Sequence, residues 1–483
     1  MLFNSHEFIF AFLPVVFCGF FWLARRSHAL AAAWLALASL MFYAMWNPRF
    51  VSLLLASITF NYAVARGIAR AGSGAPIRKA KLLLIFAITS NLLLLGYFKY
   101  ADFFIDTTNV LAGTSWPVGE VLLPLGISFF TFTQIAFLVD VHRGIAHEYN
   151  FVHYVLFVTY FPHLIAGPLL HHQQMMPQFR SAQTYRLDTR NVSVGLLLLT
   201  IGLFKKVVLA DQCAAVADPI FSGVAAGGEP RLIEAWLGAI AYSLQLYFDF
   251  SAYCDMAIGL SKMFNVDLPL NFDSPYKSAN IIEFWRRWHM TLSAFLKDYL
   301  YVPLGGNRQG TPRRFGNLLI TMLLGGLWHG ANWTFVVWGG LHGLYLCINH
   351  GWQALGRRLA MPSFPGMRIA STALTFVAVV IAWVLFRSET LSASHQMLTG
   401  MLGMRGIEDI IRGNPTELVE AKQLRWIPIG LFVVFALPNS QRVASSFQSG
   451  WRFSKWAGIV TGVAFVGLVM SFEASSPFIY FQV

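Results

Sequence analysis

The residues best suited to chemistry lie between Glu283 and His342. His329 closes an apolar run in LWHGANW, and His289 follows an arginine pair in FWRRWHMTLS. An imidazole in apolar surroundings holds its neutral form and accepts a proton near neutral pH. That suits general-base removal of a hydroxyl proton. Gly325, Gly326 and Gly330 let backbone or substrate approach closely. Asn332 orients the His329 ring if the turn between them is helical. The competing reading is a structural histidine bonded to a neighbouring backbone carbonyl. Ionisable groups at membrane depth are functional candidates by default, so both readings stand.

Arg286 and Arg287, flanked by Trp285 and Trp288, are suited to binding a phosphate or a carboxylate. The same composition also describes an interfacial belt of tryptophan and arginine at headgroup depth. On one helix Arg286 and His289 share a face. His342, in GGLHG, reads as packing or as a further cavity residue. His163, His171 and His172 cluster around a Pro/Gly break, but no nearby carboxylate or cysteine completes a metal set, and no metal is expected. Asp249 and Asp255 each call for a basic partner inside the bundle. Lys205 and Lys206 read as an interfacial anchor whose stems snorkel, with phosphate contact the lesser alternative. The sequence contains no H-E-x-x-H, G-x-S-x-G, Walker loop or G-x-G-x-x-G. Their absence argues against a zinc protease, a serine hydrolase and an ATPase.

These groups need a frame, and the composition says which kind. Hydrophobic residues make up 56% of the chain and charged ones 12%, against about 25% charged in soluble domains. Apolar runs approaching the ~20 residues that span hydrocarbon recur throughout. The net charge of +12 sits in short loops between them. That distribution reads as membrane orientation and contact with anionic lipid rather than nucleic-acid binding. Arg25-Arg26 and the basic residues of 66–81 agree on a cytoplasmic side, which puts the N-terminus outside. Phe8–Ala24 reads as an uncleaved first span because no basic n-region precedes it. The four cysteines are scattered and read as small buried residues.

Spans are expected at about 28–46, 50–64, 82–98, 123–144, 193–209, 232–263, 369–386, 426–437 and 456–472. Residues 99–120, with Asp102, Asp106 and Glu120 against Lys99, are expected outside. Residues 151–172, interrupted by Pro162, Gly167 and Pro168, read as a re-entrant or kinked segment, which survives at membrane depth only against protein or water. Residues 281–300 read as amphipathic, at the interface or lining a funnel. Residues 317–328 look too short to cross, and 331–349 look broken at Gly339-Gly340. The frame is an all-α polytopic bundle in one integral-membrane domain. Spans fill 1–120, the core 121–350 and closing spans 351–483.

At these residues the chain resembles the membrane-bound O-acyltransferase superfamily, on the bacterial branch typified by the alginate O-acetylation membrane protein. The resemblance rests on LPLGISFFTFTQIAFLVDVHRG, FPHLIAGPLLHH, GLFKKVVLAD, QLYFDFSAYCDMAIG, NFDSPY, EFWRRWHMTLSAFLKDYLYVPLGGNR, LWHGANWTFVVWGGLHG and WVLFRSETLSASHQML, in that order. It implies roughly 11–13 membrane segments of about 20 residues, some broken, around a central channel. It also implies acyl transfer from a cytoplasmic donor, acetyl-CoA, with no permanently bound cofactor. His329 matches the family's characteristic histidine and His289 its second motif. Trp285, Arg286, Arg287 and Asn332 are the candidates for binding the donor or lining the channel, with Arg308, Arg313 and Arg314 extending a basic rim.

The implied partners are a polysaccharide acceptor and a periplasmic acetyltransferase, and the implied location is the bacterial inner membrane. Two other functions stay open: a sugar-polymer transporter or export subunit without catalysis, and D-alanyl transfer to a cell-wall polymer. Transporters often carry internal repeats, and none is visible here. The FDFSAY and PLGGNR motifs favour the acetyl branch.

Overall fold

The computed structural model describes the chain except for residues 73–76, 120, 147–149, 166, 360–364, 406–417, 450–453, 471–475 and 480–483. All regular structure among the described residues is helical. In hydrocarbon, backbone donors and acceptors must be satisfied within the segment, and a helix does this. Among the described residues, five helices are long and apolar enough to cross a membrane: Glu7–Ala24, Arg49–Ala71, Arg78–Ala112, Thr189–Ala225 and Met367–Arg387. Shorter apolar helices accompany them, among them His28–Ala44 and Ile127–His142. The chain is a multi-pass membrane protein.

It falls into two compact units, each discontinuous in sequence. The first contains residues 1–203, 253–269 and 440–482. Its helices include α1 (Leu13–Ala24), α2 (His28–Ala44), α3 (Arg49–Gly72), α4 (Ile77–Leu95), α5 (Ala101–Ala112), α6 (Ile127–His142), α7 (Phe151–Thr159), the short α8 (His172–Met175) and most of α9 (Thr189–Phe204). Helix α4 continues into α5 through one widened turn, Gly96–Tyr100. Much of the stretch expected as an outer loop is therefore helix; Glu120 lies outside the described residues. The embedded polar residues of α6 face protein, as expected: Ser128, Thr131, Thr133 and Gln134 are all buried. The Gln134 amide donates to Ser57 Oγ at 2.9 Å, and Asn61 and Asn91 exchange hydrogen bonds at 3.1 and 2.7 Å. After α7 the helix stops, and residues 160–165 and 167–171 form turns and bends without regular structure.

The second unit contains 204–252 and 270–439. It holds α10 (Asp211–Ala225), α11 (Leu232–Met263) as far as Ala252, α12 (Ile281–Arg287), α13 (Met290–Leu296), α14 (Thr311–His329), α15 (Trp333–Arg358), α16 (Met367–Arg387) and α17 (Leu391–Met401). Helix α14 has 19 residues, because Pro312 starts it a turn and a half earlier than the apolar run suggests, yet it is not among the described helices long and apolar enough to cross a membrane. One expectation fails here. Helix α15 runs unbroken for 26 residues through Gly339-Gly340. The glycines serve helix contact instead. A Cβ on Gly326 would stand 2.2 Å from the Phe335 carbonyl oxygen, and one on Gly339 2.2 Å from that of Met322. The pair lets α14 and α15 touch backbone to backbone, as small residues do at membrane helix interfaces.

Candidate active site

His329 is the last residue of α14. The helix ends there because Gly330 is extended, at φ −164° and ψ 149°. Asn332 then starts α15 as its cap, accepting from the Thr334 N–H at 3.0 Å and donating to the Glu389 carbonyl at 2.8 Å. The helical turn that would bring Asn332 beneath the His329 ring does not form, and Asn332 is committed to joining chain segments. The ring of His329 is 3% exposed and lies among Trp328 (4.9 Å), Trp338 (5.1 Å) and Phe386 (5.2 Å). Apolar rings disfavour a permanent charge there. The carbonyl ends of α14 favour a transient one, because a helix C-terminus attracts a cation. A base that must gain and then release a proton is served by both.

His289 comes from a different kind of break. Asn280 caps α12 by accepting from the Glu283 N–H. The helix ends at Arg287, Trp288 is extended, and His289 takes the left-handed conformation, φ 43° and ψ 54°. Helix α13 starts after it. The shared helical face expected for Arg286 and His289 is therefore absent: the chain reverses its twist between them and turns the histidine inward. His289 is fully buried, with Phe250 at 4.8 Å, Trp328 at 6.2 Å and His329 at 6.4 Å between ring centroids. Two imidazoles at that separation can touch one small reacting group. A left-handed non-glycine residue is strained, and such strain persists where surroundings over-determine it. The seven-residue helices flanking His289 are too short to span a membrane. Burial pushes its imidazole down to about 3, so it is neutral at physiological pH.

His342 completes the group. It is fully buried, and its Nδ1 accepts from the Trp285 indole N–H at 3.3 Å. Its ring lies 4.9 Å from Trp338, which is also the neighbour of His329. Trp383, stacked on Trp338 at 5.6 Å, and Trp288, 4.9 Å from Trp383, fill out an aromatic wall. Tyr276 braces that wall by donating to the Ser243 carbonyl at 2.7 Å and accepting from the Trp383 N–H at 3.1 Å.

Beside this wall is a cavity of about 510 Å³ lined by α12 to α15. Its polar lining includes Arg286, Lys297, His350, Ser293 and Thr321. Trp285, which donates to His342, and Met290, next to His289, lie on its wall. Arg286, Arg314 and Arg357 all act electrostatically on His350. The cationic lining is thus Arg286 and Lys297, with Arg314 and Arg357 acting on the cavity's His350. Arg287 instead pairs with Glu283 at 2.8 Å, and Arg308 and Arg313 are exposed.

Lys206 is not an interfacial anchor. It is 3% exposed and bridges Asp249 at 2.8 Å and Asp211 at 3.0 Å, so Asp249 has the basic partner expected of it. Lys205 donates to Ser251 Oγ at 3.2 Å. Together they tie Lys205–Ala210 to the FDFSAY turn of α11. In the first unit, the Ser440 hydroxyl donates to Asp255 at 2.6 Å. His172 there lies 3.1 Å from Asp140, a carboxylate the reading of that cluster overlooked because 32 residues separate them in sequence. Among the described residues no three His, Cys, Asp or Glu side chains are gathered as a metal site. The residues that sequence reasoning missed are Asn271, Trp338, Trp383 and Phe386. Asn271 stood in the quoted NFDSPY motif, and the rest looked like ordinary span residues.

The family model of the membrane-bound O-acyltransferases matches residues 81–394. The peptidoglycan O-acetyltransferase of Helicobacter pylori is 39% identical over 527 aligned positions, covering 100% of this chain and 97% of the relative. A protein of Pseudomonas aeruginosa named "Probable alginate O-acetylase" is 41% identical, covering 86% of this chain and 78% of its own. The teichoic acid D-alanyltransferase of Bacillus subtilis is 25% identical over 58% of this chain and 72% of its own. The match includes the helix that presents His329, the break that presents His289 and the helices that line the basic cavity. The chain belongs to the membrane-bound O-acyltransferase family, and it is a multi-pass membrane acyltransferase.

Proposed function

We propose that the chain takes an acetyl group from acetyl-CoA on the cytoplasmic side of the bacterial inner membrane and passes it on for O-acetylation of an exported polysaccharide. One observation carries the reading: a cavity with a basic lining shares its wall with the residues that hold the histidine group. The phosphates of the donor meet Arg286, Lys297 and the neighbouring arginines, while the acetyl thioester points toward the aromatic wall. His329 removes the proton from an acceptor hydroxyl. The oxygen attacks the thioester carbonyl carbon, the C–S bond breaks, and the departing thiolate recovers the proton from the imidazolium. His289 shares the reacting group. Burial excludes water, which would otherwise take the acetyl group.

The acceptor side follows the relatives that match most of the chain, whose names specify peptidoglycan and alginate. The final transfer falls to a periplasmic acetyltransferase partner. D-alanyl transfer is the weaker reading, because the relatives so named match about half of this chain at 25–27% identity.

The test is the acetyl content of each surface polysaccharide in cells carrying the wild-type chain, His329→Ala or no chain. Acetylation should be lost in both of the latter, with polymer still exported and the variant still inserted. Normal acetylation in His329→Ala refutes the enzyme reading, and loss of polymer export along with it points to a transporter.

A further inference from the structure

Asn271 lies in the NFDSPY segment and is fully buried. Its side-chain Oδ1 is 3.2 Å from the Thr291 backbone nitrogen, 2.9 Å from the Thr291 hydroxyl and 3.1 Å from His289 Nδ1. Its backbone carbonyl accepts from the Met290 N–H at 3.0 Å. One residue therefore receives hydrogen bonds from three consecutive positions across the left-handed break.

The chemistry of these contacts determines the direction of each bond. A backbone N–H can only donate, so the Asn271 atom facing Thr291 is the carbonyl oxygen and not the amide nitrogen. That oxygen can only accept. The His289 nitrogen beside it must then carry a hydrogen. A neutral imidazole has one N–H, so Nε2 keeps the lone pair. We infer that Asn271 is a positioning residue that holds His289 as its Nδ1–H tautomer and so presents Nε2 as the proton acceptor of the site. The inference rests on the reading that His289 takes part in acyl transfer.

His342 has the opposite arrangement. The Trp285 indole only donates, so His342 Nδ1 accepts and Nε2 carries its hydrogen. Two buried imidazoles of the group are thus set to opposite tautomers by neighbours with one possible role each. The choice of an amide at position 271 also has a reason. An aspartate would hold the same tautomer but stabilise the imidazolium, leaving the base already protonated. An asparagine orients the ring without a charge. The neutral state that this requires agrees with the burial that pushes His289 down to about 3.

The experiment is nitrogen NMR of the full chain in lipid bilayers, with ¹⁵N-labelled histidine and the His289 signals assigned by difference from His289→Gln. Wild type should show a protonated Nδ1 and an unprotonated Nε2. A protonated Nε2 in the wild type overturns the inference whatever the variants do. Asn271→Leu should lose this signature, with kcat down about 100-fold, as for removal of a group that orients a catalytic base, and donor KM within twofold. Asn271→Asp should keep Nδ1 protonated and protonate Nε2 as well, because the carboxylate stabilises the imidazolium. A wild-type signature and kcat in Asn271→Leu also overturns the inference. Full activity in His289→Gln instead refutes the catalytic reading of His289, while the tautomer comparison still reports on Asn271.

Discussion

Both units place buried histidines at a break between helices, yet they use them differently. In the first unit the break after α7 leads to His171, which is half-buried, and His172, which is buried. His172 rests against Asp140 at 3.1 Å, and the His171 backbone N–H is received by Gln174 at 3.2 Å as a helix cap. These are contacts that join chain segments. In the second unit the breaks at His289 and Gly330 place two imidazoles among aromatic rings, next to a cavity with cationic lining. The type of residue is the same, although the breaks differ in backbone conformation. On the proposed function, what surrounds the ring separates a brace from a base.

Four measurements would break or sharpen that contrast. His329→Ala should reduce acetyl transfer by about 10²–10⁴-fold, the usual worth of a positioned general base, with little change in thermal stability. His172→Ala should do the reverse: transfer per folded molecule within about threefold, and stability lower by about 1–3 kcal/mol, the cost of a buried polar contact left unmade. An equal loss of transfer in both variants would erase the distinction. Gly339→Ala should come next. Its Cβ would strike the Met322 carbonyl, α14 and α15 must separate, and His329 moves with α14. A misplacement of about 1 Å costs about 10²-fold in rate, so single-turnover kinetics should show the loss at saturating donor. Unchanged kinetics would mean that the hairpin yields without moving the histidine.

Arg286→Ala should raise donor KM about tenfold and leave kcat near wild type, because a charged contact is worth about 1.5–3 kcal/mol and this one acts before chemistry. Arg287→Ala should have a smaller effect on KM, since Arg287 is paired with Glu283. The smallest effect concerns pH. His289 lies below its ordinary 6.5, near 3. A depressed group contributes stability that is complete above its ordinary value and lost as pH falls toward the folded one. Thermal scans from pH 7 to 4 should show wild type losing stability relative to His289→Asn. Parallel curves would mean that the imidazole is not held neutral.

Much of this was legible in the sequence for physical reasons. Long apolar runs with basic ends dictate helices that cross a membrane, and α11 was read at its full length, Leu232–Met263. His329 and His289 stood out because polar groups are costly where the pattern places them. What escaped depended on distance in sequence or on backbone geometry. Gly339-Gly340 looked like a break because glycine weakens isolated helices; packing against α14 outweighs that preference. Asp140 and His172 are joined only in three dimensions. The left-handed turn at His289 has no local signature, since nothing in RRWHMT requires a positive φ. Lys206 looked like an anchor because its two carboxylate partners include one 43 residues away.

The left-handed backbone at His289 bears on how this chain can be engineered. A β-carbon in that conformation costs about 1–2 kcal/mol, which glycine avoids and asparagine lessens. Substitution by either should relieve the backbone while removing the imidazole. On the proposed role of His289 in acyl transfer, a selection for thermal tolerance alone would be drawn to this position and would return well-behaved, inactive protein. Stabilised variants of the chain should therefore be sought with position 289 held constant and turnover scored alongside melting.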